Sequence, residues 1–117
     1  MSYCECDYDP PSIYKRTRVQ AARKDHKCSE CFREIKIGEP YENAWGIWDG
    51  RADTFRTCHH CLALRDFVEA HVPCVCWAHG NTREDAINTA EGWSHEAPGL
   101  YFGALRRELL IRRASKP

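Results

Sequence analysis

The sequence has no excess of charge of either sign and no long apolar run. Seventeen basic residues balance seventeen acidic ones, so the whole molecule has no net field to attract nucleic acid or an anionic membrane. No stretch approaches the roughly 18 apolar residues of a membrane-spanning helix. The first residues lack a basic start followed by an apolar run, so we expect no secretory signal peptide. These absences predict a soluble cytoplasmic protein with no membrane partner.

The sequence also lacks the patterns of two enzyme classes that use cysteines. A zinc deaminase requires His-x-Glu followed by Pro-Cys-x-x-Cys. Here Pro73-Cys74-Val75-Cys76 has a different spacing, and no His-x-Glu precedes it. A thioredoxin-like oxidoreductase requires Cys-x-x-Cys beside a βαβ pattern, which is not present. We therefore expect an enzyme of neither class.

Cysteine is abundant, with eight in 117 residues. In the cytoplasm, where thiols stay reduced, that number favours metal binding, with disulfides and free thiols as the alternatives. Four of the cysteines form two Cys-x-x-Cys pairs, a spacing that lets two thiolates converge on one ion. We expect one structural zinc ion held by Cys28, Cys31, Cys58 and Cys61.

The residues between and after these pairs predict a β-hairpin followed by a helix. Side chains alternate with a period of two over 41–47, and Asp49-Gly50 is a hairpin turn because both residues tolerate positive φ. A return strand is expected over 51–57. The run after Cys58 has helical periodicity and stops at Pro73. Its expected apolar face comprises Leu64, Phe67, Val68 and His71.

The first Cys-x-x-Cys turn, Cys28 to Cys31, is called the knuckle here. The order of knuckle, hairpin and helix over residues 27–72 resembles the treble-clef zinc finger. The two Cys-x-x-Cys pairs fall where the four ligands of that family fall. The segment Cys-x-x-Cys…Ile-x-x-Gly-Glu-x-Tyr is also similar to small zinc proteins of bacteriophage and prophage genomes, which implies a host cytoplasm. Treble clefs include nucleic-acid binders, protein-interaction modules and nucleases. The resemblance therefore implies a fold and a zinc site rather than one function.

The other four cysteines predict a second zinc site, so that two zinc ions are expected per chain. Four soft ligands are enough for one closed tetrahedral site, which would join residues 1–14 to residues 73–80. His79 in place of one cysteine is an alternative ligand, and cysteines that bind no metal are the other interpretation. Trp77 would shield this ion from water. The expected ligands are Cys4, Cys6, Cys74 and Cys76.

Residues 81–117 predict a helical extension of one or two helices. Thr82-Arg83-Glu84-Asp85 has the form of a capping box, and we expect Ala86, Ile87 and Ala90 to face the core. The segment from Leu100 to Ala114 predicts a helix with Tyr101, Leu105, Leu109 and Arg112 on one stripe, with a short strand at 109–111 as the alternative. The expected fold is a single small α+β zinc-stabilised domain over 1–117.

A non-enzymatic zinc-binding module that binds a protein partner, such as a phage-type protein that modulates a host protein, is the function we expect. Aromatic residues dominate interface energetics, and two tryptophans lie on the predicted hairpin. Arginines near the C-terminus would add polar contacts. The expected partner-binding residues are Trp45, Trp48, Arg106, Arg107, Arg112 and Arg113.

Two other functions are open. The first is nucleic-acid binding by the basic segments 15–27 and 106–113, the former interpreted as a loop or short helix. Those segments carry six and four basic residues. The more distant second function is a treble-clef nuclease of the His-Asn-His type. Its match is incomplete, because His59, His60 and His71 have no histidine partner on the strand before the hairpin turn.

Overall fold

The computed structural model describes residues 11–115. Within them, β1, β4 and β5 form an antiparallel sheet with β4 in the centre, and β2 pairs with β3 in a separate ribbon. Three helices follow, so the predicted small α+β fold is confirmed, and the extension predicted to have one or two C-terminal helices has two. The elements are β1 (Ile13–Val19), β2 (His26–Lys27), β3 (Glu34–Ile35), β4 (Tyr41–Trp48), β5 (Arg51–Cys58), α1 (His59–His71), α2 (Thr82–Gly92) and α3 (Pro98–Ala114).

The predicted hairpin is present, and its turn has the expected backbone. Asp49 has φ of 52° and Gly50 has φ of 77°, the left-handed conformations that a tight two-residue hairpin requires. The return strand continues to Cys58, and α1 begins at the next residue. The second cysteine pair therefore lies at a direct junction between strand and helix.

Residues 13–19 form a strand, which differs from the loop or short helix expected for this part of the basic segment 15–27. β1 pairs antiparallel with β4, and Lys15 lies opposite Trp45. Arg16 and Arg18 point to the same side of β1 and approach the carboxylate of Glu42 on β4. Because every second residue is directed at that carboxylate, the run of charges conceals a period-two pattern.

α1 lies between the sheet and the two C-terminal helices. Leu64 and Val68 of α1 are fully buried, as predicted, whereas His71 at the helix end is exposed. Fully buried alanines on the neighbouring helices let the helix backbones approach closely: Ala86, Ala90 and Ala104. Among the described helices, none has the length and apolar character that crossing a membrane requires.

The helix predicted over 100–114 is present as α3, and the stripe predicted on it is not the buried side of the helix. Leu105 and Leu109 face outward, and the buried side of α3 includes Ala104 and Glu108. Glu108 can be buried because the guanidinium of Arg83 on α2 binds its carboxylate with two hydrogen bonds. The buried side of α3 therefore has an ion-paired acid and a small residue between the apolar Leu100 and Ile111.

Candidate metal centre

Four cysteine sulfurs converge in the core, at the spacing of a tetrahedral metal site. Cys28 Sγ lies 3.8 Å from Cys61 Sγ, Cys31 Sγ lies 3.7 Å from Cys58 Sγ, and all four sulfurs lie within 4.8 Å of one another. A tetrahedron with Zn–S bonds of about 2.3 Å has edges of about 3.8 Å. None of the four cysteines is in a disulfide, and all are buried. The donor set and its dimensions fit a zinc ion.

Backbone N–H groups support the sulfur of Cys28. The amide of Glu30 donates to it at 3.4 Å, and the amide of Cys58 donates at 3.3 Å. Such hydrogen bonds steady a thiolate and tune its basicity. Cys61, in the first turn of α1, also lies near the positive end of the helix dipole.

Contacts among the sulfurs shift the pKa values of the four thiols in opposite directions. Contact with Cys31 raises the pKa of Cys28, and contact with Cys28 raises the pKa of Cys61. Contact with Cys28 lowers the pKa of Cys31 and brings the pKa of Cys58 to about 7. The sulfurs therefore compete for negative charge. A divalent cation at their centre would let all four be thiolates.

The two residues inside the first Cys-x-x-Cys pair connect the knuckle to both halves of the molecule. Ser29 exchanges two hydrogen bonds with Arg56 on β5: its amide donates to the carbonyl at 2.7 Å, and its hydroxyl accepts from the amide at 3.0 Å. Glu30 is buried and accepts hydrogen bonds from the amides of Gly80 and Thr82, at 2.7 and 2.9 Å. The knuckle thereby holds the start of α2.

Glu30 takes the place of the capping box predicted at Thr82–Asp85. Asn81 is the N-cap residue of α2, and its side chain makes no cap hydrogen bond. Thr82 lies inside the helix, and its hydroxyl donates to the carbonyl of Ala78. Asp85 accepts from the amide of Ala78 and from the Asn81 side chain. A carboxylate distant in sequence can satisfy free helix amides as well as a local one, which explains the difference.

The four specified residues of the segment Ile-x-x-Gly-Glu-x-Tyr each have a structural role next to the knuckle. Ile35 is fully buried, and Gly38 adopts φ of 93°, a conformation that favours glycine. Glu39 accepts two hydrogen bonds from Arg33, which hold the pKa of its carboxyl at about 2. Tyr41 is buried against the imidazole of His26. These roles account for the spacing of the motif.

The sequence interpretation missed a buried ion pair that joins α1 to β4. Arg65 donates to both oxygens of Glu42, at 3.0 and 2.6 Å, and each side chain is 1% exposed. Arg18 lies 3.2 Å from the same carboxylate, and the Trp77 ring covers the Arg65 guanidinium at 4.4 Å. No signal in the sequence marked this pair, because Arg65 is not part of the apolar face predicted for the helix.

The structure describes half of the predicted second zinc site. Cys74 Sγ and Cys76 Sγ lie 3.9 Å apart, and each cysteine is in a disulfide, which is the alternative to metal binding. Cys4 and Cys6 lie outside the described residues. The four-cysteine site, and the role of Trp77 as its shield, therefore stay predictions.

His79, the alternative ligand, lies in a cluster of aromatic rings. Its imidazole stacks on Phe55 with ring centroids 4.8 Å apart, and its Nε2 lies 2.7 Å from the Tyr14 hydroxyl. The Nδ1 atom is buried and has no hydrogen-bond partner in the described part of the chain. Burial lowers the pKa of His79 to about 4. The histidine is therefore neutral near pH 7.

The residues predicted to bind a partner have different surroundings. Trp45 and Trp48 lie on opposite faces of β4, as their spacing requires. Trp48 packs edge-on against Tyr14 and Phe55, at 5.8 and 5.5 Å. Trp45 lies on the other face and is 36% exposed.

The four C-terminal arginines also divide into two pairs. Arg107 donates to the carbonyl of Gly103 and lies over Phe67, and Arg112 lies 3.4 Å from Glu108. Arg106 and Arg113 are exposed on α3.

The histidines that a nuclease would use lie on α1. The rings of His59 and His60 are 4.1 Å apart in its first turn, and His71 bonds to the carbonyl of Phe67 at its end. Within residues 11–115, one group of three or more potential ligands is close enough to share an ion, and it consists of Cys28, Cys31, Cys58 and Cys61.

Comparison with protein-family models, with curated proteins and with solved structures finds no match to this chain.

Proposed function

We propose that the chain is a non-enzymatic interaction module, stabilised by zinc, that binds a protein partner through the outer side of α3. The observation that carries this proposal is an exposed row of large apolar residues on a helix whose other side is packed in the core. A zinc ion with four sulfur ligands has no open position for water or substrate, which supports a structural role for the metal.

The outer row of α3 is formed by Phe102, Leu105 and Leu109. Phe102 is 66% exposed and Leu109 is 46% exposed. Their spacing of three and four residues aligns them on one side of the helix, opposite the buried Leu100 and Ile111. Contiguous apolar patches of this kind mark interaction sites on soluble proteins.

Two arginines indicate the chemistry of the partner. By helical spacing, Arg106 and Arg113 lie within the same outer row, and the row contains no carboxylate. The acid of this helix, Glu108, is turned inward to Arg83. A partner that fits this surface presents an apolar groove with acidic residues at its rim.

The treble-clef class, phage origin and host cytoplasm belong to this proposal. The spacing of the cysteine pairs and the segment Ile-x-x-Gly-Glu-x-Tyr support them. The four cysteines of the metal site are free thiols, which suits a reducing compartment. Trp45 stays a candidate contact residue, and nuclease activity stays the distant alternative.

The test compares capture from a bacterial lysate by the wild-type chain and by Leu105→Glu/Leu109→Glu, with nuclease present. The control Ala21→Glu/Ala52→Glu makes the same change of charge at exposed positions outside α3. We expect one protein to be retained by the wild type and the control and lost by the α3 variant. The purified partner should then bind the variant at least about tenfold more weakly. The proposal would be contradicted if no captured protein depended on α3 for its retention, or if sedimentation showed self-association through α3.

A further inference from the structure

The sheet has an outer face, opposite the face that packs against α1, on which the side chains follow from the strand register. Paired residues project to the same side, and successive residues alternate. Lys15, Trp45 and Thr54 form one outward row, and Thr17, Asn43 and Arg56 form the next.

On this sheet the carboxylates project inward, where Arg16, Arg18 and Arg51 also lie, whereas Lys15 and Arg56 project outward. In the described part of β1, β4 and β5, both carboxylates, Glu42 and Asp53, belong to the inward positions. Glu42 is buried against Arg65, whereas Lys15 and Arg56 are cations of the outward rows. The neutral total of the chain therefore conceals a face on which cations have no carboxylate beside them.

A cleft of about 570 Å³ adjoins this face where the chain turns from β1 into β2, and no carboxylate lines it. The nearby Asp25 accepts a hydrogen bond from the amide of Ile37. Burial lowers the pKa of His26, the charges of Arg56 and Lys24 lower it further, and Asp25 raises it. Its lining residues are Val19, Arg23, Lys24, His26 and Tyr41.

Trp45 lies at the centre of the outer face, between this cleft and the hairpin turn. Four residues of extended strand, about 13 Å, separate it from Tyr41 at the cleft. An exposed indole ring beside cations is the surface on which an unpaired base stacks while its phosphates are held nearby. A duplex hides the faces of its bases, so this arrangement favours a single strand.

We propose that the outer face of the sheet and the adjoining cleft bind single-stranded nucleic acid. A base stacks on Trp45, and phosphates contact Arg23, Lys24 and Arg56. This surface replaces the one expected from segments 15–27 and 106–113, because Arg16 and Arg18 face inward to Glu42, and Arg107 and Arg112 have partners on α1 and α3. It is independent of the protein-binding surface on α3.

The test measures fluorescence anisotropy of a labelled oligothymidine of about 12 nucleotides with the full zinc-loaded chain. Trp45→Ala should weaken binding at least about fivefold, and Trp45→Phe should restore part of that loss because it still stacks. Arg23→Ser/Lys24→Ser should lower the slope of log affinity against log salt by about 1.4, or about 0.7 for each lost phosphate contact.

The control Arg106→Ser/Arg113→Ser removes the same charge from α3 and should leave binding within about twofold, since no phosphate contact is lost. Thermal unfolding establishes that each variant is folded. An equal loss in this control would overturn the proposal, as would equal affinity for a duplex of the same sequence. Binding of thymidine monophosphate or inorganic phosphate without binding of the oligonucleotide would overturn it too, and so would no binding at low salt.

Discussion

The two sides of β4 come from one stretch of sequence, and they differ in burial and in the charged residues beside them. On the inner side, Glu42 is buried against Arg65, and Trp48 packs among aromatic rings. On the outer side, Trp45 is exposed beside Lys15 and Arg56. The inner side holds the sheet to the helices, whereas the outer side is buried at Tyr41 and Cys58 and exposed at Trp45.

This contrast shows why overall composition is a poor guide to the surface of this protein. Equal numbers of acids and bases cancel in the total. The fold nevertheless places several carboxylates against arginines in its interior, as at Glu42 and Glu108, and leaves other cations outside. Variants on each side should therefore separate stability from binding.

The largest effect is expected from the four-cysteine site. Cys28→Ser removes one ligand and leaves three sulfurs for the ion, so we expect the cooperative thermal transition to be lost. Circular dichroism measures this, with Cys28→Ser compared with Ala63→Ser, which places the same side chain at an exposed position of α1. A cooperative transition at an unchanged temperature would show that the cluster binds no stabilising metal.

Glu42→Ala and Trp45→Ala test the contrast directly. The first leaves the Arg65 guanidinium buried without its partner and should lower the free energy of unfolding by about 3–5 kcal/mol. The second truncates a partly exposed side chain and should change it by about 1 kcal/mol or less. Urea unfolding of both variants provides the comparison. Similar losses in the two variants would mean that the outer side is part of the structural core.

Glu30→Gln should have a smaller effect at the start of α2. The amide side chain has one acceptor oxygen and no charge, so either the Gly80 or the Thr82 backbone amide loses its acceptor, at a cost of about 1–3 kcal/mol. Hydrogen exchange should be faster at these two amides. Glu84→Gln is the matched control, because Glu84 is an exposed acid in the first turn of the same helix. Equal exchange in the two variants would remove the proposed capping role.

The smallest effect concerns pH and His79. Burial lowers the pKa of this histidine to about 4, so the unfolded chain takes up the proton first as pH falls. Its contribution to stability is present above about pH 6.5 and is lost progressively towards pH 4.

His79→Phe should therefore unfold with a weaker dependence on pH between 7 and 4.5 in urea titrations than the wild type. Zinc release at low pH affects both proteins, so the difference between them is the measurement. Loss of a zinc ion in His79→Phe would assign His79 as the alternative ligand of the second site.

The elements and the first ligand set could be predicted because each has a local signal. Cys-x-x-Cys spacing identifies the knuckle, Asp49-Gly50 identifies the hairpin turn, and Ala86 with Ala90 identifies the inner side of α2. These signals depend on residues close together in the sequence, where backbone geometry determines the outcome.

The parts that could not be predicted depend on pairs of charges distant in sequence. Arg65 lies in the core because Glu42, 23 residues earlier, receives it. Glu108 lies on the buried side of α3 because Arg83 binds its carboxylate, and Leu105 and Leu109 therefore face outward. No periodic pattern reveals such a pair in one sequence, since each member alone is typical of an exposed position.

The central claim is that Cys28, Cys31, Cys58 and Cys61 hold a structural zinc ion, and metal content tests it most directly. Mass spectrometry of the purified protein should find about two zinc ions per wild-type chain, with about one remaining in Cys74→Ser/Cys76→Ser. A wild-type chain with fewer than about one zinc ion, or a folded double variant with none, would contradict the claim.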